Sequence, residues 1–463
     1  MSIFSFISRI NIAVNLLFIC NGAFGLTQQT DSTFKAPNDS LANAGLQPNL
    51  AERPAAMRFI MLTVLIDMVS IGLIIPVLPS LVGSFTSNPS EQALWYGVVT
   101  FAFSLANFFG SPILGALSDR YGRRPILLLG FCGLALNFFA TALATQLWML
   151  IAVRLVGGAM QANAAVANAY VADITPSADR AKRFGQLGAM FGIGFILGPV
   201  LGGILGGIDL HLPFFVAGTL AMVNLLYGYF VLPESLPAAQ RRNINWSSAN
   251  PIASLIQLRN LKGVGALVIV IALSGLAQFV LYTTWVLYTT FKFGWGPSEN
   301  GWSLFAVGIT SAVVQGFLLS RLLKVFGASR LATLGLISSA LAYLGWGLAP
   351  AGWVMYVVIV ANVLGVTVTA SIQSMVSNAA DAHSQGQTMG AVASLTSLMA
   401  VLGPVIGAPL MGAVSHYSPS DSRVGIPFYF CALLQIIAMG VATRHFKRER
   451  QRLADTSLQS TLY

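Results

Sequence analysis

Residues 115–125 read "GALSDRYGRRP". Two glycines, one aspartate and three arginines stand between two apolar runs, 94–116 and 125–144. Each run is near the ~20 residues a helix needs to cross the hydrocarbon of a bilayer. Gly115 and Gly122 let two helix ends approach closely. Asp119 can accept hydrogen bonds from a neighbouring helix start or pair with an arginine. Arg120, Arg123 and Arg124 anchor this end at a membrane face. Three arginines alone would be an ordinary basic loop; the ordered Gly-x-x-x-Asp-Arg-x-Gly-Arg-Arg spacing is more specific than that.

The rest of the chain repeats the apolar theme. Of 463 residues, 56% are hydrophobic and 9% charged, and the mean hydropathy is +0.74. Soluble domains carry about 25% charged residues, so this chain cannot cover a water-facing surface. Alternating segments of a β-barrel are not seen. The expected fold is an all-α polytopic membrane protein. Twelve spans are predicted, at 58–80, 94–116, 125–144, 147–171, 185–207, 213–232, 264–289, 301–319, 331–349, 353–374, 388–412 and 427–443.

The polar segment 233–263 divides six spans from six and reads as a cytoplasmic linker with a short surface helix. The predicted organisation is therefore an extension (1–56), a six-helix bundle (57–232), the linker (233–263), a second six-helix bundle (264–443) and a basic tail (444–463). With the amino end inside, the inner loops hold Arg120, Arg123, Arg124, Arg180, Lys182, Arg183, Arg241, Arg242, Arg259, Lys262, Arg321, Lys324 and Arg330. The outer loops hold only Lys292 and Arg423. This asymmetry places both termini in the cytoplasm, and it accounts for the net charge of +10 without nucleic acid. The stretch at 1–25 resembles a secretory signal, which would invert every loop. The charge distribution favours instead an overlong start, with Met57 the true one, or a disordered extension. An extra membrane segment is the third option.

The two halves echo each other. "GIGFILGPVLGG" (192–203) has a counterpart in "LMAVLGPVIGAPL" (398–410), and the loop at 115–125 a degraded one in "FLLSRLLKVFGASR" (317–330). Both pairs are six spans apart, as in a duplicated two-bundle transporter with a midplane site. In the fifth predicted span Gly194, Gly198, Gly202 and Gly206 form one bare helical stripe, suited to backbone-to-backbone packing; Pro199 removes one helical hydrogen bond. Arg154 lies inside the fourth span. Such a residue faces the bundle interior with a partner or a task, or snorkels to the interface. Gln161, Asn163 and Asn168 continue that polar face. In "LIDMVSIGLIIPVLPSL" (65–81) Asp67 sits inside the first span, before Pro76 and Pro79.

These motifs resemble those of the major facilitator superfamily. The loop at 115–125 looks like its signature between spans 2 and 3, and the Gly-Pro-x-x-Gly-Gly core (Gly198, Pro199, Gly202, Gly203) looks like the motif of its drug/proton antiporters. "LIDMVSIGLIIPVLPSL", "SDRYGRRPILLL", "LWMLIAVRLVGGAMQANAAVANAYVADITP" and "RFGQLGAMFGIGFILGPVLGG" together resemble the tetracycline-efflux branch. The resemblance implies twelve helices in two pseudo-symmetric six-helix bundles. It implies a charge relay of Asp119, Arg123 and Asp173 that latches the cytoplasmic side, with Gly115, Arg120, Gly122 and Arg124 in the same loop. It also implies proton transfer at Arg154.

The chain departs from the branch at several polar positions. Membrane aspartates of those pumps align with Asn137 and with about Ser339, a histidine falls near Ser311, and a drug-site glutamine falls at Asn107. Asp67 remains as the one acid well within a span. It either carries proton coupling, tuned by Arg154, or hydrogen-bonds a neighbouring span as a packing element. Candidate cavity residues are Phe103, Asn107, Asn137, Gln161, Gln278, Tyr282, Trp285, Gln315 and Gln373, a lining that suits a bulky amphipathic solute.

The expected function is proton-coupled export of an amphipathic organic compound or drug, of the tetracycline-efflux type, by a monomer in a bacterial inner membrane. The alternatives are import or facilitated passage of a metabolite such as a sugar, and a non-transporting sensor of the same fold. Neither an enzyme nor a cofactor is expected: the sequence shows no metal-ligand cluster, no nucleophile–base pair and no phosphate-binding loop. Cys20, Cys132 and Cys431 stand singly in apolar runs and read as small packing residues.

Overall fold

The computed structural model describes residues 53–161, 163–176, 179–241, 250–258, 265–379 and 385–461. The signal-like stretch and nearly all of the predicted extension lie outside the described residues, as do Arg242, Arg259 and Lys262. The described residues are almost entirely helical, with no strand among them. Eleven helices are long and apolar enough to cross a bilayer, and a pair bent by 54° makes a twelfth span. Spans 1 to 6 are Ala56–Gly83, Pro89–Tyr121, Arg123–Ala142, Leu147–Ile174, Lys182–Ile208 and Leu212–Val231. Spans 7 to 12 are Gly265–Phe293, Pro297–Phe326, Ala328–Leu348, the bent pair Gly352–Ala361 and Gly365–Asn378, Thr388–Val414 and Ser422–Gln451.

Every predicted span has its counterpart, and most run longer. Span 2 starts at Pro89 rather than 94, because its first turn is polar and capped: the Asn88 side chain accepts from the Glu91 N–H at 2.9 Å, and proline suits a first turn. Span 8 starts at Pro297, where Glu299 accepts from the Gly296 N–H at 2.9 Å. The first helix begins at Arg53, ahead of the expected 57, and buries Ala56 and Met57. The predicted tail is no separate segment at its start. The last helix continues from Ile426 to Thr461, since "RHFKRERQRL" is made of good helix formers without glycine or proline.

Besides the bent span 10, three spans are interrupted. In span 1 the helix Arg53–Ile74 gives way to tight turns around Pro76 before Leu78–Gly83 resumes; Pro76 has no N–H to continue the ladder. Span 4 consists of Leu147–Met160 and Asn163–Ile174. Span 8 contains a π-turn over Val314–Leu318.

The internal repeat is visible in the packing. Span 5 lies between spans 1 and 8; six spans on, span 11 lies between spans 7 and 2. A methyl group placed on Gly72 of span 1 would stand 2.8 Å from Gly198 Cα, so these two backbones touch. Gly202 packs on the Leu73 carbonyl in the same way. In the second half Gly403 and Gly407 pack on Phe279 and Val280 of span 7. One interval in the sequence separates Gly198 from Gly403, Gly202 from Gly407, and the positive-φ glycines Gly122 and Gly327.

The spans that join the halves are sealed at one end and open at the other. The sealed end lies away from the basic loops. There Ser298 Oγ donates to the Gly203 carbonyl at 3.1 Å and Ser90 Oγ to the Gly412 carbonyl at 2.9 Å. Gly203 faces Gly301, and Gly97 faces Ala408. Toward the basic end the same four spans carry Gly115, Gly185, Gly188, Gly192, Gly316 and Gly390, where an added Cβ would meet nothing within 4 Å. Of the linker, Ala238–Gln240 forms a 3-10 turn and Pro251–Leu258 a helix against span 11, the short helix expected from sequence.

Gly203→Leu is expected to lower the melting temperature of the detergent-purified protein. A side chain there meets the Pro297 carbonyl and Gly301 Cα, and overpacking costs about 1–3 kcal/mol. It should also raise the labelling rate of a cysteine placed at Ser298. Unchanged melting and labelling would contradict the sealed end described above.

Candidate functional site

The structure places the predicted charged and polar residues in three groups within the first half. The first is built around the 115–125 loop. Span 2 ends at Gly122, whose φ of 108° is a conformation few other residues adopt. The chain then turns directly into span 3. Arg123 Nη1 pairs with Asp119 Oδ1 at 2.5 Å and donates to Ser118 Oγ at 2.6 Å, while Nε bonds Asp173 Oδ2 of span 4 at 3.1 Å. Arg124 donates to the Tyr229 carbonyl of span 6 at 2.6 Å. Arg120 stacks on Tyr121, 5.4 Å from the ring centre.

A residue not singled out from sequence completes this group. Glu234, just past span 6, accepts from the Arg123 N–H at 2.8 Å and from the Arg124 N–H at 3.3 Å. It thereby caps span 3 in place of the side chain that Gly122 lacks, and its charge lies on the positive end of the helix. Ser235 Oγ adds a bond to Asp173 at 3.1 Å. The sequence signal was a lone acid directly after a span, at an end otherwise rich in arginine. All of these partners belong to the first six spans or the chain just after them, so in this conformation the cluster braces one half.

The second group surrounds Asp67. It is buried in span 1, and Asn163 Nδ2 donates to its Oδ1 at 3.1 Å. Thr63, Leu127, Phe131, Ala167 and Phe191 wall the narrow cleft around it. The sequence reads Asn163 only as part of a polar helix face; the packing of span 4 against span 1 makes it the partner of Asp67. The stripe on span 5 begins one residue further along span 1, where Gly194 meets Met68. Pro199 does not break that helix, which is continuous over Arg180–Ile208.

The third group is a cavity of about 200 Å³ between spans 1 to 4. Ile71, Ile74, Phe103, Leu134 and Phe138 give it apolar walls, and Tyr96, Asn137, Arg154 and Gln161 supply polar groups. Asn107 braces it from behind, donating to the Gln161 carbonyl at 2.8 Å. Phe103, Asn137 and Gln161, three of the candidate cavity residues, line this space, and Arg154, expected to serve proton transfer, lines it too. Tyr96 and Thr100 were not foreseen.

The second-half candidates stand elsewhere. Trp285 is a core residue: it is buried, donates to Ser303 at 3.0 Å and meets Trp346 edge-on. Its indole therefore does not face a solute cavity. Gln278 is half-buried and Tyr282 exposed on span 7. Gln315 is exposed on the π-turn of span 8, and Gln373 is half-buried in the lower part of bent span 10.

Asp67 and Arg154 are not paired. Asp67 is hydrogen-bonded to Asn163, whereas Arg154 lines the third-group cavity. No direct contact between the two, among the described residues, supplies the tuning of Asp67 by Arg154 that the sequence led one to expect.

Residues 60–404 match the Major Facilitator Superfamily. The chain is 38% identical over 379 residues to the class C tetracycline resistance protein of Escherichia coli, covering 82% of this chain and 95% of that protein. It is 32% identical to the class B protein of Escherichia coli, over 80% of this chain and 92% of that one. Multidrug resistance protein 2 of Bacillus subtilis is 27% identical, over 86% and 96%. Among solved structures, a bacterial homologue of the lysosomal transporter Spinster, in an inward-facing and unoccupied conformation, superimposes with a TM-score of 0.70 at 15% identity, covering 87% of this chain and 99% of that one.

Replacing Glu234 with alanine should lower stability by about 1–2 kcal/mol, the worth of a helix cap plus its charge. Thermal unfolding of the purified protein tests this. An unchanged melting temperature would show that Glu234 does not hold the start of span 3.

Proposed function

The chain belongs to the Major Facilitator Superfamily, and we propose that it is a proton-coupled exporter of amphipathic organic compounds. Its basic end faces the cytoplasm of a bacterial cell, both described ends of the bundle lie there, and the protein works as a monomer. The observation that carries this reading is Asp67, the one buried carboxylate among the described residues, held by one amide in a chain 38% identical to a tetracycline resistance protein. Export against a gradient requires a group that takes up and releases a proton as the protein changes conformation, and a buried acid is such a group. With the basic end inside, the open glycine faces of spans 2, 5, 8 and 11 make this an inward-facing state.

The physical cycle follows from these parts. In the inward-facing state a solute enters between the halves from the basic end. Rocking then breaks the seal at Gly203–Gly301 and Gly97–Ala408 and brings the bare glycines of the other end together. Asp67 exchanges its proton with one side and then the other, which ties solute movement outward to proton movement inward. The Arg123 cluster keeps spans 2, 3 and 4 moving as one body. The third-group cavity, aliphatic and aromatic with few amides, supports an amphipathic solute over a polyhydroxylated one. Tetracycline is one candidate, although the chain carries Asn137 and Ser339 where related pumps have acids.

An efflux-deficient bacterium expressing the protein should tolerate several-fold higher concentrations of at least one compound in a broad amphipathic panel. Asp67→Asn, which keeps shape and removes the titratable group, should abolish that protection at equal expression. If wild type protects against nothing, the exporter reading fails. If Asp67→Asn protects equally, Asp67 is a packing element and coupling lies elsewhere.

A further inference from the structure

Arg154 is 3% exposed. Its Nε and Nη2 are buried with no hydrogen-bond partner, and among the described residues no carboxylate lies within ion-pair distance of it. Its guanidinium lies over the Phe103 ring, 5.9 Å from carbon to ring centre, and near the Tyr96 hydroxyl, a neutral group that lines the same cavity. A buried charge left without a counter-ion is destabilising. Arg154 cannot relieve this by snorkelling, because its side chain is enclosed. It lines the third-group cavity, whose described lining contains no acid. Asn137 shares that lining and lies against Gly157, one turn along span 4 from Arg154. Its Oδ1 is likewise buried and unpaired, and an amide neutralises no charge. A fixed cation, the Asn137 amide, the Tyr96 hydroxyl and five apolar side chains line one space.

We propose that this cavity receives the acidic group of an amphipathic organic anion, a carboxylate or an acidic enol, with Arg154 as its ion-pair partner. The guanidinium offers two parallel N–H donors to the two oxygens. Ile71, Ile74, Phe103, Leu134 and Phe138 take the apolar body. This names the substrate class for the export reading and rests on that reading only for the word substrate. The binding site itself stands on the geometry. Asp67, in a separate cleft, is then free to hold a proton while the anion occupies Arg154.

The test is thermal unfolding of the full-length purified protein in detergent, with matched pairs of 2-naphthoic acid, 9-anthracenecarboxylic acid and 4-biphenylcarboxylic acid and their primary amides. At least one acid should raise the melting temperature in a saturable way, and its amide should not. Arg154→Gln should weaken the response about 10- to 100-fold, the worth of a charged hydrogen-bonding group. Arg154→Lys, which keeps the charge but not the fork, should fall between. Asn137→Asp should also abolish the response, by supplying an internal counter-ion. The empty Arg154→Gln protein should melt at or above wild type, because the unpaired charge is gone; this separates lost binding from misfolding. If Arg154→Gln does not fold, Asn137→Asp decides alone. Amides that stabilise as well as acids, a response undiminished in Arg154→Gln or retained in Asn137→Asp, or no response to any acid at millimolar concentration would each overturn the proposal. Because the readout is binding, it is independent of whether Asp67→Asn changes drug tolerance.

Discussion

Asp67 and Arg154 are the charged residues fully buried among those described, and they lie in the same half of the bundle without touching. Each pays a desolvation cost that mutual pairing would have lowered. Spans 1, 3 and 4 keep them apart: Asp67 and Asn163 occupy a tight cleft toward the basic end, whereas Arg154 opens onto a cavity further along. Had they been neighbours, the pair would be a structural brace. Separated, each retains an unsatisfied capacity, one for a proton and one for an anion. The remaining polar residues of the cavity arrange themselves around the second of these.

The packing that permits movement is built from absent side chains. Spans 1 and 5 meet backbone to backbone at Gly72 and Gly198, which fixes the wall beside Asp67. On another face of span 5, Gly203 meets Gly301 of span 8, which joins the halves. One helix thus carries both a permanent contact within its half and a breakable contact across the halves. The Arg123 cluster works at a different level. Its ion pairs and the Glu234 cap are confined to the first half, so they stiffen the body that moves and do not hold the two bodies together in this conformation.

Much of this was legible in the sequence, and the reasons differ by feature. Twelve spans follow from apolar length, and their pairing six apart follows from repeated glycine motifs. The association of Arg123 with Asp119 is local, four residues along one helix, and Asp173 came through family resemblance. What sequence could not give was whatever depended on distant packing. Asn163 meets Asp67 by the packing of span 4 on span 1, across 96 positions of sequence. Glu234 caps a helix more than a hundred residues upstream. Trp285 looked like an aromatic cavity wall and is a core residue, since only its surroundings tell the two apart. Proton transfer at Arg154 was implied by family resemblance alone; that Arg154 shares a cavity with Asn137 depends on how spans 3 and 4 pack, which the sequence does not show.

The coupling of solute to proton through Asp67 is tested most directly in everted membrane vesicles that hold a respiration-driven pH gradient, followed with a quenched fluorescent amine. Adding a compound against which the protein protects should partly collapse the gradient in wild-type vesicles and leave it intact in Asp67→Asn vesicles. A gradient that collapses equally in both, or in neither while the compound still accumulates in the vesicles, would contradict the account.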